Sequence, residues 1–196
     1  MRTAEIAAIV LAAGQGTRFG QMPKMLAELD GKPLVRHAVE AALGSSVNAV
    51  IVVVGHREAE VRQALGGLPV TFVANPDYAD GLSTSLRAGF AMRPEEAEAC
   101  VIMLGDMPRV TSSLVDGLVS AWREAGRPAA ALPVQNGRRG NPVLLSVGLA
   151  GEIAELTGDV GAGPLLRTRP DVLEWAVEDP AVALDVDTPD ALARLG

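Results

Sequence analysis

Residues 11–20 read LAAGQGTRFG, a glycine-rich segment with one arginine set directly behind the apolar run AAIVLA. A short apolar run bounded by glycine reads as a buried strand. In an open parallel sheet, ligands bind beyond the carboxyl ends of the strands, which is where this segment falls. Gly14, Gly16 and Gly20 allow backbone angles that other residues resist, so consecutive N–H groups can converge on phosphate oxygens. Arg18 and Lys24 add positive charge close by. The spacing is G-x-G-x-x-x-G with Pro23 soon after, which departs from the G-x-G-x-x-G of a dinucleotide site. Gly31 and Lys32 are followed by Pro33, so the Walker pattern fails as well. Spacing alone leaves two readings, a phosphate-holding loop or a structural turn.

Outward from this loop, apolar strands alternate with helical patterns. PLVRHAVEAAL places Leu34, Val35, Ala38, Val39, Ala42 and Leu43 at helical spacing, and Gly44 ends it. NAVIVVVG is a continuous apolar strand, of the kind buried on both faces. REAEVRQALGG predicts a helix, PVTFVAN a strand, LSTSLRAGFAM a helix capped by Asp80 or Ser83, and ACVIMLGD a strand. SSLVDGLVSAWREAG predicts a helix capped by Thr111, and PAAALPV a further strand. In the last third, NPVLLS, VLEWAV and VALDVD read as strands, GLAGEIAEL and VGAGPLLRTR as short helices. TPDALARL reads as a helix with Thr188 as cap and Pro189 at its first position. This alternation predicts a three-layer α/β/α Rossmann-like domain with a mostly parallel sheet.

The bulk composition narrows the function. A chain of 196 residues, 48% hydrophobic and 21% charged, suits one folded domain over residues 1–196. The net charge is −7 and no Lys/Arg run exceeds two residues, which argues against nucleic-acid binding. The single cysteine, Cys100, forms no internal disulfide and reads as a small buried residue; a reducing, cytoplasmic setting follows. The N-terminal apolar stretch is too short to span a membrane and runs into the glycine loop, so it reads as the first core strand, not as a signal peptide. His37 and His56 lack a partner that would make a catalytic pair, and both read as structural.

The full pattern L-A-A-G-x-G-x-R-x-G-x-x-P-K resembles the signature of the MobA-like nucleotidyltransferases, and the resemblance extends along nearly the whole chain. It implies a GT-A-type domain that joins a nucleoside triphosphate to a phosphorylated acceptor. The loop residues Leu11, Ala12, Ala13, Gly14, Gly16 and Thr17 would then wrap the triphosphate, with Arg18 and Lys24 neutralising its charge. NPDYADGLSTSLRAG (residues 75–89) is similar to the second nucleotide-binding stretch of the molybdenum cofactor cytidylyltransferase branch, the MocA type, implying nucleotide contacts for Asn75, Gly81, Ser83 and Ser85. That branch carries L-A-A-G where guanylyl-transferring relatives carry L-A-G-G, so Ala13 points to CTP.

The same resemblance assigns metal and acceptor groups. Asp106, in VIMLGDMP, would coordinate Mg²⁺, with Asp187 as a second ligand. Magnesium takes oxygen ligands and commonly only one or two carboxylates. Met107 stands where the family more often has Gln. Arg139 and Asn141, in NGRRGNPVLLS, together with Asp159 and Asp185, would face the acceptor, which in this branch is a molybdopterin. Asn141 replaces a more usual His. Asp185 and Asp187 fall on one side if their segment is extended. A helix-capping role for Asp159 stays open. Two other readings remain: a nicotinamide-dependent oxidoreductase of the nicotine blue oxidoreductase type, and a non-catalytic protein that delivers cofactor to a molybdoenzyme partner. Against the first stands the strand tip VVVGHRE, which lacks the acidic residue that binds a dinucleotide ribose.

Overall fold

The computed structural model describes residues 5–20 and 22–195. Residues 1–4, the head of the stretch read as the first strand, lie outside the described residues. The strands are β1 (Glu5–Leu11), β2 (Glu28–Leu29), β3 (Lys32–Pro33), β4 (Ala49–Val54), β5 (Thr71–Ala74), β6 (Ala97–Leu104), β7 (Ala130–Gln135), β8 (Arg138–Arg139), β9 (Val143–Ser146) and β10 (Val172–Ala176). The helices are α1 (Leu34–Leu43), α2 (Glu58–Ala64), α3 (Leu82–Ala91), α4 (Ser112–Glu124), α5 (Ala150–Ala154), α6 (Gly163–Leu166) and α7 (Pro189–Ala193). The main sheet runs β10-β7-β9-β6-β1-β4-β5, with β8 added against β7. Its ladders are parallel except at β9, which runs antiparallel to both β6 and β7, and at β8. The α/β, mostly parallel architecture expected from the alternation is therefore present.

Strand β1 shows why both faces of the sheet are covered. Successive side chains of a strand point to opposite faces. Ile6, Ala8, Val10 and Ala12 join a core with α1, α2 and α4, through Val35, Val61 and Leu118 among others. Ala7, Ile9, Leu11 and Ala13 join a second core with α3, α5 and α6, through Leu86, Ile153 and Leu166. The strands therefore read as unbroken apolar runs instead of alternating ones. Cys100 lies fully buried in the second core, as expected.

The chain places its functional loops by its order of strands. It passes from β1 to β4 and β5 on one side, then returns to form β6 on the other side of β1. Leu11 at the end of β1 pairs with Leu104 at the end of β6. The reversal opens a crevice at these two carboxyl ends, the place where open α/β sheets bind ligands. Two expectations fail nearby. VALDVD is not a strand: Pro180–Ala183 forms a 3-10 turn capped by the Asp179 carboxylate, and the following residues join no ladder. Val182 and Val186 instead bury in two separate cores, one of them beneath the glycine loop. Helix α3 is not capped by Asp80 or Ser83; Gly81 occupies the cap position without a side-chain bond. Thr111 and Thr188 do cap α4 and α7, accepting from Leu114 and Ala191 N–H groups.

Candidate active site

The glycine loop leaves β1 and closes over the crevice. Gly16 has φ +58°, and a Cβ there would stand 2.6 Å from Lys24 Cβ, so the turn that brings Lys24 under the loop requires glycine. Phe19 N–H bonds Gly16 carbonyl at 2.8 Å, which folds Thr17–Phe19 into a short 3-10 turn and presents Arg18 outward. Lys24 is 8% exposed. Its Nζ forms an ion pair with Asp106 Oδ2 and stands 2.7 Å from Asp187 Oδ1. Arg18 Nη2 reaches the other oxygen of Asp187 at 2.7 Å. Asp106 follows β6, and its carbonyl accepts the Val186 N–H at 3.0 Å, which draws Asp187 alongside.

The electrostatics of this cluster are set by burial and charge together. Burial works against the Lys24 ammonium, but Asp106 and Asp187 outweigh it and hold its pKa above the ordinary lysine value. The hydrogen bond from Lys24 is the main cause that keeps the Asp187 carboxyl below the ordinary aspartate value. Asp106 Oδ1 is buried and accepts no hydrogen bond. A buried, unpartnered carboxylate oxygen is costly unless something else binds it. With Asp187 beside it, the pair supplies the oxygen donors that suit a hard divalent cation. Among the described residues no group of three or more His, Cys, Asp or Glu is placed to hold a metal.

The cleft above this cluster has a volume of about 510 Å³. Of the residues singled out in the sequence, Leu11, Ala13, Gly14, Gly16, Thr17, Arg18, Lys24, Gly81, Ser85, Asp106, Asp159 and Asp187 line it. Ala12 points to the opposite core and lies off the cleft. Asn75 is buried; its amide donates to Thr84 Oγ1 and Ser85 Oγ at 2.8 and 3.0 Å, bracing the start of α3. Ser83 is fully buried, off the cleft. Asp185 is exposed and outside the cleft, yet its carboxyl stands close enough to Asp187 to help hold that group's pKa down.

Asp159 has a double position. It lines the cleft, and its Oδ1 accepts the Leu82 N–H at 3.1 Å. The free N-terminus of α3 is thus met by this chain's own carboxylate, delivered from a distant loop. Gly81 makes that approach feasible: at φ +110° its Cβ would stand 2.5 Å from the Gly158 and Asp159 backbone. Arg139 and Asn141 lie elsewhere, on a second cavity of about 300 Å³ that shares Leu11, Leu82 and Leu104 with the first. Sequence reasoning does not single out Gln15, Met25 or Tyr78, which also line the cleft, and offers Asp80, another lining residue, only as a helix cap. Tyr78 packs across Gly55, whose absent side chain makes room for the ring, and a glycine directly after an apolar strand is the available signal.

The family model for the MobA-like NTP transferase domain matches residues 8–189. A nicotine blue oxidoreductase of Paenarthrobacter nicotinovorans is 30% identical over 97% of this chain and 96% of its own length. The molybdenum cofactor cytidylyltransferase of Escherichia coli K12 is 31% identical over 93% of this chain and 91% of its own. Among solved structures, Rv0371c of Mycobacterium tuberculosis H37Rv superposes with a TM-score of 0.85 at 27% identity, covering 98% of this chain and 97% of that one. The same protein has been solved in complex with manganese, with a TM-score of 0.84 at 28% identity over 98% of each chain. With a loop, a lysine and two aspartates gathered at the strand-order switch, and a family match over nearly the whole chain, the protein belongs to the MobA-like NTP transferase family.

Proposed function

We propose that this protein transfers the cytidylyl group of CTP to the phosphate of a small phosphorylated acceptor, releasing pyrophosphate, with Mg²⁺ as cofactor. The observation that carries the reading is the Lys24–Asp106–Asp187 cluster on the floor of a cleft roofed by the glycine loop. An acceptor phosphate oxygen attacks the α-phosphorus. The new P–O bond forms as the bond to the β-phosphate oxygen breaks, and pyrophosphate leaves with that electron pair. A phosphate oxygen is already ionised at neutral pH, so no protein nucleophile is needed. Catalysis is then positioning and charge stabilisation.

Asp106 and Asp187 would hold the cation, which supplies charge neutralisation to the attacking and leaving oxygens. The unpartnered Asp106 Oδ1 is the observation that fits such a ligand, and a manganese complex of a 28% identical protein supports it. Arg18, largely exposed at the cleft mouth, is free to turn from Asp187 to the β- and γ-phosphates. Lys24, released from the carboxylates, reaches the same anion from below. Ala13, which lines the cleft, favours the smaller pyrimidine base. The 31% identical cytidylyltransferase supports CTP and names a molybdenum cofactor as one acceptor.

The oxidoreductase relative keeps a second reading in view. The tip of β4 carries Gly55 and His56, with no carboxylate for the adenosine ribose of NAD. Thermal shift with each of the four NTPs and with NADPH, with and without Mg²⁺, separates the two. Stabilisation by CTP–Mg²⁺ and not by NADPH is expected; the reverse order overturns the proposal. In a pyrophosphate-release assay run well below its melting temperature, Asp106→Asn should lose at least a hundredfold in turnover while circular dichroism shows it folded.

A further inference from the structure

The buried amide of Asn75 makes three hydrogen bonds, and the direction of each is fixed. Its Oδ1 accepts the Asp77 N–H at 3.0 Å. A backbone N–H only donates, so the oxygen is the atom that faces it. The amide nitrogen is thereby turned to the hydroxyls of Thr84 and Ser85, at 2.8 and 3.0 Å. A side-chain amide has one N–H for each of them. Both hydroxyl oxygens therefore accept from Asn75, and each hydroxyl must place its own proton elsewhere.

The two hydroxyls differ in what they find. Thr84 has protein acceptors, the Gly81 carbonyl at 2.8 Å and the Asp77 carbonyl at 3.0 Å. Among the described residues Ser85 Oγ accepts from Asn75 and donates to no protein group. A helical serine commonly donates to the carbonyl four positions back. For Ser85 that carbonyl is Gly81, which already takes the Thr84 N–H at 3.2 Å as well as the Thr84 hydroxyl. Leu82 and Ser85 stand three positions apart on one face of α3, and both line the nucleotide cleft. Thr84 and Asn75 lie off it. The unspent proton thus belongs to the one member of the network that the cleft reaches.

Resting on the reading of this cleft as a nucleotide site, we infer that Asn75 is a positioning residue that sets the direction of hydrogen bonding at Ser85. Ser85 is then a donor to the bound nucleotide, and the nucleotide atom it meets is an acceptor without a proton of its own. Asn75 acts on the ligand only through Ser85. A side chain of the same shape but opposite polarity would undo this. The carboxylate of Asn75→Asp can still accept the Asp77 N–H, but it has no N–H to give. The hydroxyls of Thr84 and Ser85 would turn their protons inward to it, and the cleft would lose its donor.

The test is a double-mutant cycle on the full chain with Asn75→Asp, Ser85→Ala and the pair. The readout is the Kd of CTP–Mg²⁺ by calorimetry, with circular dichroism as the check on folding. Ser85→Ala should weaken CTP about tenfold, the scale of one lost hydrogen bond. Asn75→Asp should weaken it at least as much, and the pair should bind no more weakly than Asn75→Asp alone. Two losses that multiply would mean that Asn75 only braces α3, and would overturn the inference. Ser85→Ala binding CTP like the parent overturns it too, even if Asn75→Asp does not fold. Asn75→Ala is the second variant at this position: with no N–H behind it the Ser85 hydroxyl is no longer aimed, so adding Ser85→Ala should cost less than roughly threefold more. A full tenfold further loss there would also overturn the inference. If NADPH binds the parent and CTP does not, the same cycle is read with NADPH. Coupling in that case keeps the assignment of Asn75 and Ser85 while the nucleotidyl-transfer reading falls.

Discussion

Lys24 Nζ donates a 2.7 Å hydrogen bond to Asp187 Oδ1 across 163 positions of chain. The same ammonium pairs with Asp106, so one buried cation holds together two carboxylates that stand far apart in the chain. Without a divalent ion, Lys24 does the neutralising. Removing a single member of such a buried set strands the others, at a cost of about 3–5 kcal/mol. Lys24→Met should therefore lower unfolding stability by about that amount in chelator. Added Mn²⁺ should restore part of it, because the carboxylates can then take a cation in place of the lysine. Urea denaturation of both proteins with and without Mn²⁺ checks this. A variant as stable as the parent in chelator would mean the cluster contributes nothing to the fold.

Ala13 offers a separate handle on base selection. Ala13 lines the cleft yet is almost fully buried, and its carbonyl accepts the His56 N–H at 3.1 Å, so it is fixed in place. Replacing it with glycine opens space without moving the strand end. The CTP-over-GTP ratio of kcat/KM should fall by about tenfold, the lower end of what one methyl group is worth in a tight pocket. A ratio that does not move would detach Ala13 from base choice.

Local patterns carry most of the fold. Helix α1 is legible because Leu34, Val35, Ala38, Val39 and Ala42 repeat at the helical period, and those residues are the buried ones. Caps at Thr111 and Thr188 are legible because a cap acts on residues two or three positions away. What sequence does not carry is reach. Asp159 caps a helix that begins 77 positions earlier, and no local rule selects it over Asp80 or Ser83. The same holds at the site. Lys24, Asp106 and Asp187 each stand out in the sequence, with lysine facing the triphosphate and the aspartates facing metal. Their mutual ion pairing needs the folded loop. VALDVD misleads because alternating Val and Asp reads as an exposed strand, whereas a proline-started turn sends Val182 and Val186 into different cores.

Cys100 yields a prediction about pH. Burial pushes its thiol up to about 12, from an ordinary value near 9.0. The native protein therefore keeps the proton while the unfolded chain releases it above pH 9. Proton binding is then greater in the native state, so stability falls as pH rises between about 9 and 12 and is unaffected by this group below that window. Two measurements follow. Native protein at pH 8 should not react with a disulfide reagent until denaturant is added. Between pH 9 and 11 the parent should lose stability faster than Cys100→Ala, by up to roughly 1.4 kcal/mol per pH unit. Fast labelling of the native thiol at pH 8 would contradict its burial.

The contact between Gly81 and the Gly158–Asp159 backbone lies in the wall of the cleft, and it can be taken apart in two steps. Asp159→Ala removes the carboxylate that accepts the Leu82 N–H, a loss of about 1 kcal/mol by analogy with other helix caps. Gly81→Ala forces a side chain into a positive-φ position and against backbone at 2.5 Å, where nothing flexible can give way. Strain and overpacking together should cost about 2–4 kcal/mol. In the double variant the combined loss should be smaller than the sum of the two single losses. The reason is that moving the 158–159 loop away from the added methyl group already breaks the bond to Asp159. Denaturant melts of the four proteins measure that coupling. Full additivity would show that the loop does not move, and that Asp159 is held in the cleft wall by contacts other than the end of α3.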